Sequence, residues 1–143
     1  MWIRPRVLAR DGGRVRLEPL RMEHAPGLFA ALDFDEVWRL RPDPRVPSAE
    51  AMGPWVAKRV AESAAGARQV YVAVIEASGE IAGTTGYLEV QPENRSLEIG
   101  ATIVTPRWQR TFVNTECKLL LLEHAFEALG CVRVQFRVDQ RNQ

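Results

Sequence analysis

The pattern of apolar and polar positions predicts one strand and several helical segments in the first part of the chain. Val15–Leu20 alternates, which predicts a strand. Apolar residues recur at helical spacing from Glu23 to Leu32, and a short helical turn is predicted from Asp35 to Leu40. Arg41–Pro47 contains three prolines and is predicted to be a loop.

A helix and three strands are predicted next. Ser48 is suited to be the N-cap of a helix that should fade near Gly66. β-Branched and aromatic residues then form three strand patterns separated by short polar turns. These predicted strands are Val70–Glu76, Ile81–Val90 and Leu97–Val104. Short turns between successive strands favour antiparallel pairing.

The longest helical pattern extends from about Val113 to Leu129, and Gly130 is suited to end it. The alternating segment Cys131–Val138 predicts a last strand, and its return across a helix favours parallel pairing. We therefore expect a single α/β domain covering residues 1–143. Its sheet should be open, mixed and mostly antiparallel, with helices flanking it.

Composition excludes several classes of partner. The chain has 143 residues and is 46% hydrophobic, enough for one domain with a core. A net charge of +1 gives no general attraction to nucleic acid. No apolar run approaches the roughly 18 residues that span a bilayer, and the N-terminus lacks the apolar segment of a secretory signal. We expect a cytoplasmic protein with no nucleic-acid or membrane partner.

Arginines crowd the N-terminus, at positions Arg4, Arg6, Arg10, Arg14, Arg16 and Arg21. They form either a phosphate-binding arm or a solvated leader, and the lack of interleaved aromatic residues favours the leader. Cys117 and Cys131 are expected to be reduced thiols that pack as small hydrophobic groups. His24 and His124 lie far apart, and His124 is expected to be packed or half-exposed. No metal site is predicted, since no Cys or His stands at ligand spacing.

The segment from Leu97 to Ala128 carries the candidate chemistry because it predicts a strand, a loop and a helix N-terminus. A helix start offers unpaired N–H groups and about half a positive charge, which suits a phosphate or pyrophosphate. Thr111, Asn114 and Thr115 would add side-chain donors there. Strand–loop–helix units are common, so this pattern alone does not identify a ligand.

This segment resembles the acetyl-CoA-binding motif of the GNAT superfamily of N-acetyltransferases. Its run W-Q-x-T-x-V-N-T-E-x-K-x-L-L-L-x-H-A-F-E resembles the RimJ/RimL-like branch, which acetylates ribosomal-protein N-termini. The resemblance extends over most of the chain through R-L-E-P-L, G-x-I-A-G-x-T-G-Y, L-E-I-G-A-T-I and R-V-Q-F-R-V-D-x-x-N. It implies a GNAT-like fold and acetyl-CoA as the co-substrate.

The resemblance also implies which residues bind acetyl-CoA. The strand Leu97–Val104 would splay from the next strand, and the backbone of Ile103 and Val104 would pair with the pantetheine arm. Asn142 matches an asparagine that contacts the cofactor. The loop amides that would cradle the pyrophosphate belong to Gln109, Arg110, Thr111, Phe112, Val113, Asn114 and Thr115.

The sequence departs from the family pattern at two places. Phe112 and Asn114 occupy positions where small residues let the backbone approach phosphate, so Phe112 should narrow the cradle unless its ring turns into the core. The family pattern also continues past the asparagine with a further helix and two strands, whereas this sequence ends at Gln143. We expect that last helix and those strands to be missing, because the chain is a fragment or because a partner completes the fold. An unfinished edge would favour poor solubility or swapping.

The resemblance makes Glu98 the candidate general base, and the alternative is a solvated or ion-paired strand residue. Packing is favoured over an acceptor-pocket role for Tyr87, Trp38, Trp55 and Trp108. The implied function is transfer of an acetyl group to a primary amine, on a protein N-terminus or a small molecule. The alternative is a non-catalytic GNAT-like binding or assembly module. A homodimer is expected by analogy only.

Overall fold

A five-stranded sheet organises the residues described by this computed structural model, which are 2–39, 41 and 44–136. The strands are β1 (Val15–Pro19), β2 (Gln69–Ile75), β3 (Ile81–Gln91), β4 (Ser96–Val104) and β5 (Arg133–Phe136). They lie side by side in chain order. All neighbours pair antiparallel except β4 and β5, which are parallel. The predicted open, mixed, mostly antiparallel sheet is confirmed.

The helices agree with the predicted segments. They are α1 (Ala25–Leu32), α2 (Asp35–Trp38), α3 (Ala49–Ala64) and α4 (Phe112–Glu123). A 3-10 turn at Met22–His24 precedes α1. The Ser48 hydroxyl accepts a hydrogen bond from the Ala51 amide at 3.2 Å, which confirms Ser48 as the N-cap of α3.

The long helix changes its winding near its end, which the sequence pattern did not predict. After α4, residues His124–Ala128 form a π-helical turn, and the Leu129 amide donates to the His124 carbonyl at 3.0 Å. Gly130 follows with φ +66°, the left-handed conformation that commonly ends a helix. The predicted last strand is described from Arg133 to Phe136, and the rest of that prediction lies outside the described residues.

Helices cover the two faces of the sheet with separate apolar clusters. The first cluster lies under α4 and contains Tyr71, Tyr87, Ile99, Val113 and Leu121, among others. The second lies under α1 and α3 and contains Leu28, Met52, Val56, Val70 and Val72, among others. Successive strand residues point to opposite faces, so β2 contributes to both clusters and is buried throughout.

A β-bulge in β4 changes which side chains face each cluster. Gly86 pairs with Gly100, but Thr84 pairs with Ile103, so β4 holds one extra residue between these pairs. Ala101 has φ +55°, and its carbonyl accepts a hydrogen bond from the Thr84 hydroxyl at 3.1 Å. As a result Ile99 packs under α4, whereas Ile103 packs on the opposite face.

The N-terminal segment is anchored, so its description as a solvated leader was incomplete. Ile3 and Leu8 are buried, and Leu8 exchanges backbone hydrogen bonds of 2.9 and 2.8 Å with Leu17. The Trp2 indole donates to the Leu129 carbonyl at 3.1 Å. The segment is held by its apolar residues, and the arginines between them, such as Arg4, are exposed.

Within the described ranges, none of the helices is long and apolar enough to cross a membrane. The described residues also contain no cluster of His, Cys, Asp or Glu able to hold a metal ion.

Candidate active site

The parallel strands β4 and β5 are paired over only part of β4. Residues Ser96–Ile99 pair with Arg133–Phe136, where the described part of β5 ends. The bulge at Ala101 follows immediately and bends β4. Among the described residues, the segment from Gly100 to Val104 therefore pairs with β3 alone on one side. Ile103 and Val104, the predicted pantetheine contacts, lie on this segment.

The loop after β4 leads directly into the N-terminus of α4. A 3-10 turn covers Pro106–Trp108, and Arg110 has φ +60°. Thr111 is the N-cap of α4, since its hydroxyl accepts from the Val113 amide at 3.3 Å and donates to the Trp108 carbonyl at 2.5 Å. This arrangement brings the predicted cradle residues Gln109–Thr115 together beside the end of β4. It supplies the helix start that an anionic group requires.

Two hydrogen-bonding groups of the predicted cradle already have partners within the protein. The Gln109 side-chain amide donates to the Val104 carbonyl at 3.0 Å. The Val113 amide is the one capped by Thr111. Asn114 differs, because its Oδ1 is buried without a hydrogen-bond partner among the described residues. A bound molecule therefore has one buried amide group near the helix start to satisfy.

The Phe112 ring is half-buried beside the α4 cluster, against two neighbouring side chains. Its centroid lies 5.7 Å from that of Trp108 with an interplanar angle of 65°. The Arg14 guanidinium lies 3.9 Å from the centroid of the same ring. These contacts fulfil the condition under which Phe112 was expected to leave the cradle open, since the ring packs against the core.

The carboxylates at this edge of the sheet are matched with cations. Glu116, on α4, forms an ion pair with Arg14, with 3.4 Å between Oε1 and Nε. Glu80, in the turn before β3, accepts from Arg107 at 3.0 Å and from the Trp108 indole at 2.9 Å. Pairing reduces the negative charge that an incoming phosphate would meet.

Glu98 lies on the paired part of β4, three residues before the bulge. Its register partners are Leu88 on β3 and Gln135 on β5. Because Leu97 and Ile99 pack under α4, the Glu98 side chain projects from the opposite face, where it is partly buried. A carboxylate in this position is shielded from bulk water without being inaccessible.

The aromatic candidates are mostly packing residues. Tyr87 is fully buried and donates from its hydroxyl to the Leu121 carbonyl at 2.6 Å, and burial raises its pKa. Trp38 is buried, with its indole bonded to the Leu32 carbonyl at 2.7 Å and its ring edge-on to Trp55. The packing interpretation is confirmed for Tyr87 and Trp38.

The cysteines are unsuited to form an acyl intermediate. Cys117 and Cys131 are free and buried, and burial raises the pKa of the Cys117 thiol to about 12. A thiol is a strong nucleophile only as the thiolate, which is scarce at neutral pH when its pKa is this high. The site is therefore arranged for direct attack on an acyl donor.

Sequence reasoning did not identify Arg14 as a residue of this region. Its two contacts, Phe112 and Glu116, stand four residues apart on α4 and therefore share one face of the helix. That spacing was the available signal, but nothing local to α4 indicates which segment packs against it. Asn142, predicted to touch the cofactor, lies outside the described residues.

Comparison with known proteins identifies the family. Residues 14–143 match the profile of the Acetyltransferase (GNAT) domain. A crystal structure from T. thermophilus with a provisional acetyltransferase name is 35% identical, with a TM-score of 0.83 over 99% of this chain and 71% of that one. No curated protein sequence matches the chain.

Two further solved structures share the fold. A GCN5-related N-acetyltransferase from Brucella melitensis is 24% identical, with a TM-score of 0.82 over 92% of this chain and 59% of its own length. RimL, a ribosomal L7/L12 α-N-protein acetyltransferase in complex with coenzyme A, is 19% identical, with a TM-score of 0.75 over 90% and 73%. The chain thus spans 59% to 73% of the lengths of these three relatives. Because the family profile matches most of the chain, the chain belongs to the GNAT acetyltransferase family.

Proposed function

We propose that this protein transfers the acetyl group of acetyl-CoA to a primary amine. The observation that carries the proposal is the partly unpaired end of β4 next to the N-terminus of α4, in a chain of the GNAT family. RimL, a relative in fold, has been solved with coenzyme A. The sequence motif of the RimJ/RimL-like branch supports a protein N-terminus as the amine, and a small-molecule amine is the other candidate.

The unpaired backbone of β4 suits the amide-containing arm of acetyl-CoA. An extended chain can add to an exposed strand edge through main-chain hydrogen bonds, without specific side chains. The segment from Gly100 to Val104 offers such an edge among the described residues. Ile103 and Val104 would pair with the arm, and release of the Val104 carbonyl by Gln109 would free an acceptor.

The start of α4 suits the diphosphate. Backbone amides from Gln109 to Thr115 lie at the positive end of the helix dipole, which favours a bound anion. The exposed Arg110 side chain belongs to the same loop and adds positive charge. Asn142 would complete the contacts if it behaves as the sequence motif implies.

Acetyl-CoA supplies an activated acetyl carbonyl, and the residues of the chain provide positioning and proton transfer. An amine attacks only in its neutral form, so a base must accept its proton directly or through water. Glu98 has this role in our proposal, because it is a partly buried carboxylate on the strand that would hold the acetyl arm. Backbone amides near the bulge would stabilise the negative charge that develops on the carbonyl oxygen.

We predict that Glu98→Gln lowers kcat/KM by about 100-fold or more, because loss of a general base typically costs 10²–10⁴-fold. The affinity for acetyl-CoA should stay near its wild-type value. Release of CoA thiol with a panel of amines and N-terminal peptides measures the rate, and calorimetry measures binding. Glu93→Gln, an exposed carboxylate in the turn after β3, is the control. Undiminished turnover in E98Q would show that Glu98 is not the base.

A non-catalytic GNAT-like binding module is the second candidate. It is favoured by the internal partners of the Val104 carbonyl and the Val113 amide, which leave fewer groups for acetyl-CoA. That alternative predicts no CoA release with any amine. Acetyl-CoA binding without turnover would support a binding role, whereas turnover with even one amine would exclude it.

A cytoplasmic location and a homodimer complete the proposal. The location follows from the sequence, and the dimer follows from analogy with the family. Size-exclusion chromatography with light scattering would test the dimer directly.

A further inference from the structure

Arg14 links the N-terminal segment to the start of α4. It lies immediately before β1, and its side chain is largely exposed. Its Nε lies 3.4 Å from Glu116 Oε1, and its backbone amide donates to Oε2 at 3.3 Å. Its guanidinium also covers the Phe112 ring at 3.9 Å. One residue therefore contacts both a carboxylate and an aromatic ring near the proposed diphosphate cradle.

Glu116 presents an electrostatic problem for that cradle. It follows Thr115 on α4, and helical side chains lean back toward the N-terminus of their helix. Its side chain is 22% exposed, so solvent screens its charge only in part. Without a partner, this carboxylate would repel a diphosphate that binds at the helix start.

We infer that Arg14 is a positioning residue for acetyl-CoA, which neutralises Glu116 and holds the Phe112 ring beside the cradle. This inference rests on the proposed function. Arg14 acts through Glu116 and Phe112, and it does not have to touch the ligand. An N-terminal residue thereby tunes a loop that is distant in the sequence.

The chain offers a matched control in a second ion pair between the same segment and the same helix. Arg10 Nε lies 3.4 Å from Oε1 of Glu123, the last residue of α4. The two pairs share residue types and distance but lie near opposite ends of the helix. If proximity to the cradle matters, only the Arg14 pair should influence acetyl-CoA binding.

The experiment is calorimetric titration of the full 143-residue chain with acetyl-CoA. The variants are wild type, R14Q, E116Q, the double variant R14Q/E116Q, and R10Q. We expect R14Q to weaken binding about tenfold at low salt, since like charges placed close together oppose association. E116Q should bind as well as wild type or better, and the double variant should match E116Q. R10Q should match wild type, and added salt should reduce the R14Q defect because it screens the exposed carboxylate.

Thermal melting of each variant separates folding from binding. If R14Q fails to fold, R14M replaces it, because methionine removes the charge but still packs on the Phe112 ring, and the same tenfold weakening is expected. Equal affinity of the neutral Arg14 variant and wild type would overturn the inference, as would a double variant as weak as R14Q. An equal defect in R10Q would also overturn it. Wild-type protein that does not bind acetyl-CoA would instead refute the proposed function, so the two failures are distinct.

Discussion

At the scale of single residues, two glycines occupy opposite kinds of space. Gly86, in β3, passes so close to β2 that a Cβ would overlap the Gln69 carbonyl oxygen and lie 3.0 Å from the Val70 Cα. Both obstacles are backbone atoms, which cannot move aside without disturbing the strand pair. Gly53 lies inside α3, where a Cβ would meet nothing within 4 Å. The same substitution should therefore have opposite effects at the two sites.

We predict that Gly86→Ala lowers the free energy of unfolding by about 2 kcal/mol or more, through overpacking against backbone. Gly53→Ala should raise it by about 0.5–1 kcal/mol, because alanine is the better helix former and the site is open. Urea denaturation of both variants measures the difference. A stable G86A variant would show that β2 and β3 can separate locally.

Residues of the candidate site were predictable only where they are close in sequence. The motif located Gln109–Thr115 as one loop, and the structure places these residues together at the start of α4. It did not predict the orientation of Phe112, because that depends on Arg14 and Trp108 lying beside the ring. The role of Glu98 remains a prediction.

At the scale of elements, capping residues set the helix boundaries. Ser48 begins α3, and Thr111 begins α4, each by accepting a hydrogen bond from a backbone amide of the first turn. Caps are legible in sequence because donor and acceptor are only two or three residues apart. The bulges in β3 and β4 and the π-helical turn at His124–Ala128 were not legible, since they answer to packing against other elements.

Removing the α3 cap should destabilise the protein without affecting its ligand site. We predict that Ser48→Ala lowers the free energy of unfolding by about 1 kcal/mol, the usual value of an N-cap. Ser48→Asn should retain most of the stability, because asparagine also caps well. Denaturation curves measure stability, and acetyl-CoA titration should show no change. A loss in S48N equal to that in S48A would argue against capping as the cause.

At the scale of the whole molecule, the N-terminal segment joins β1 to the end of the long helix. Trp2 bonds to the Leu129 carbonyl, and Arg6 lies 3.4 Å from His124 Nδ1. His124 is buried and stacks on Tyr87 at 6.4 Å between centroids. Burial lowers the pKa of His124, and the nearby Arg6 charge lowers it further. The folded state therefore favours neutral histidine.

This linkage makes stability depend on pH. Because the pKa of His124 is lower in the folded state than its ordinary value of 6.5, the unfolded state binds more protons just below that pH. The stabilisation from neutral His124 is complete above pH 6.5 and is lost as the pH falls toward the folded-state pKa. We predict that His124→Phe, which keeps an aromatic ring on Tyr87, loses less stability than wild type between about pH 7.5 and about pH 5.5. Chemical denaturation at both pH values measures this, and identical losses would exclude His124 as the origin.

The sequence by itself determined the strands, the main helices, the cradle loop and the family, because these follow from local periodicity, from caps and from motifs of neighbouring residues. Only the tertiary structure decided where β4 parts from β5, which face each residue of β4 presents after its bulge, and which segment covers the start of α4. The contact between Arg14 and Glu116 joins residues 102 positions apart. Such contacts depend on how the sheet and helices pack, and local sequence patterns do not specify that packing.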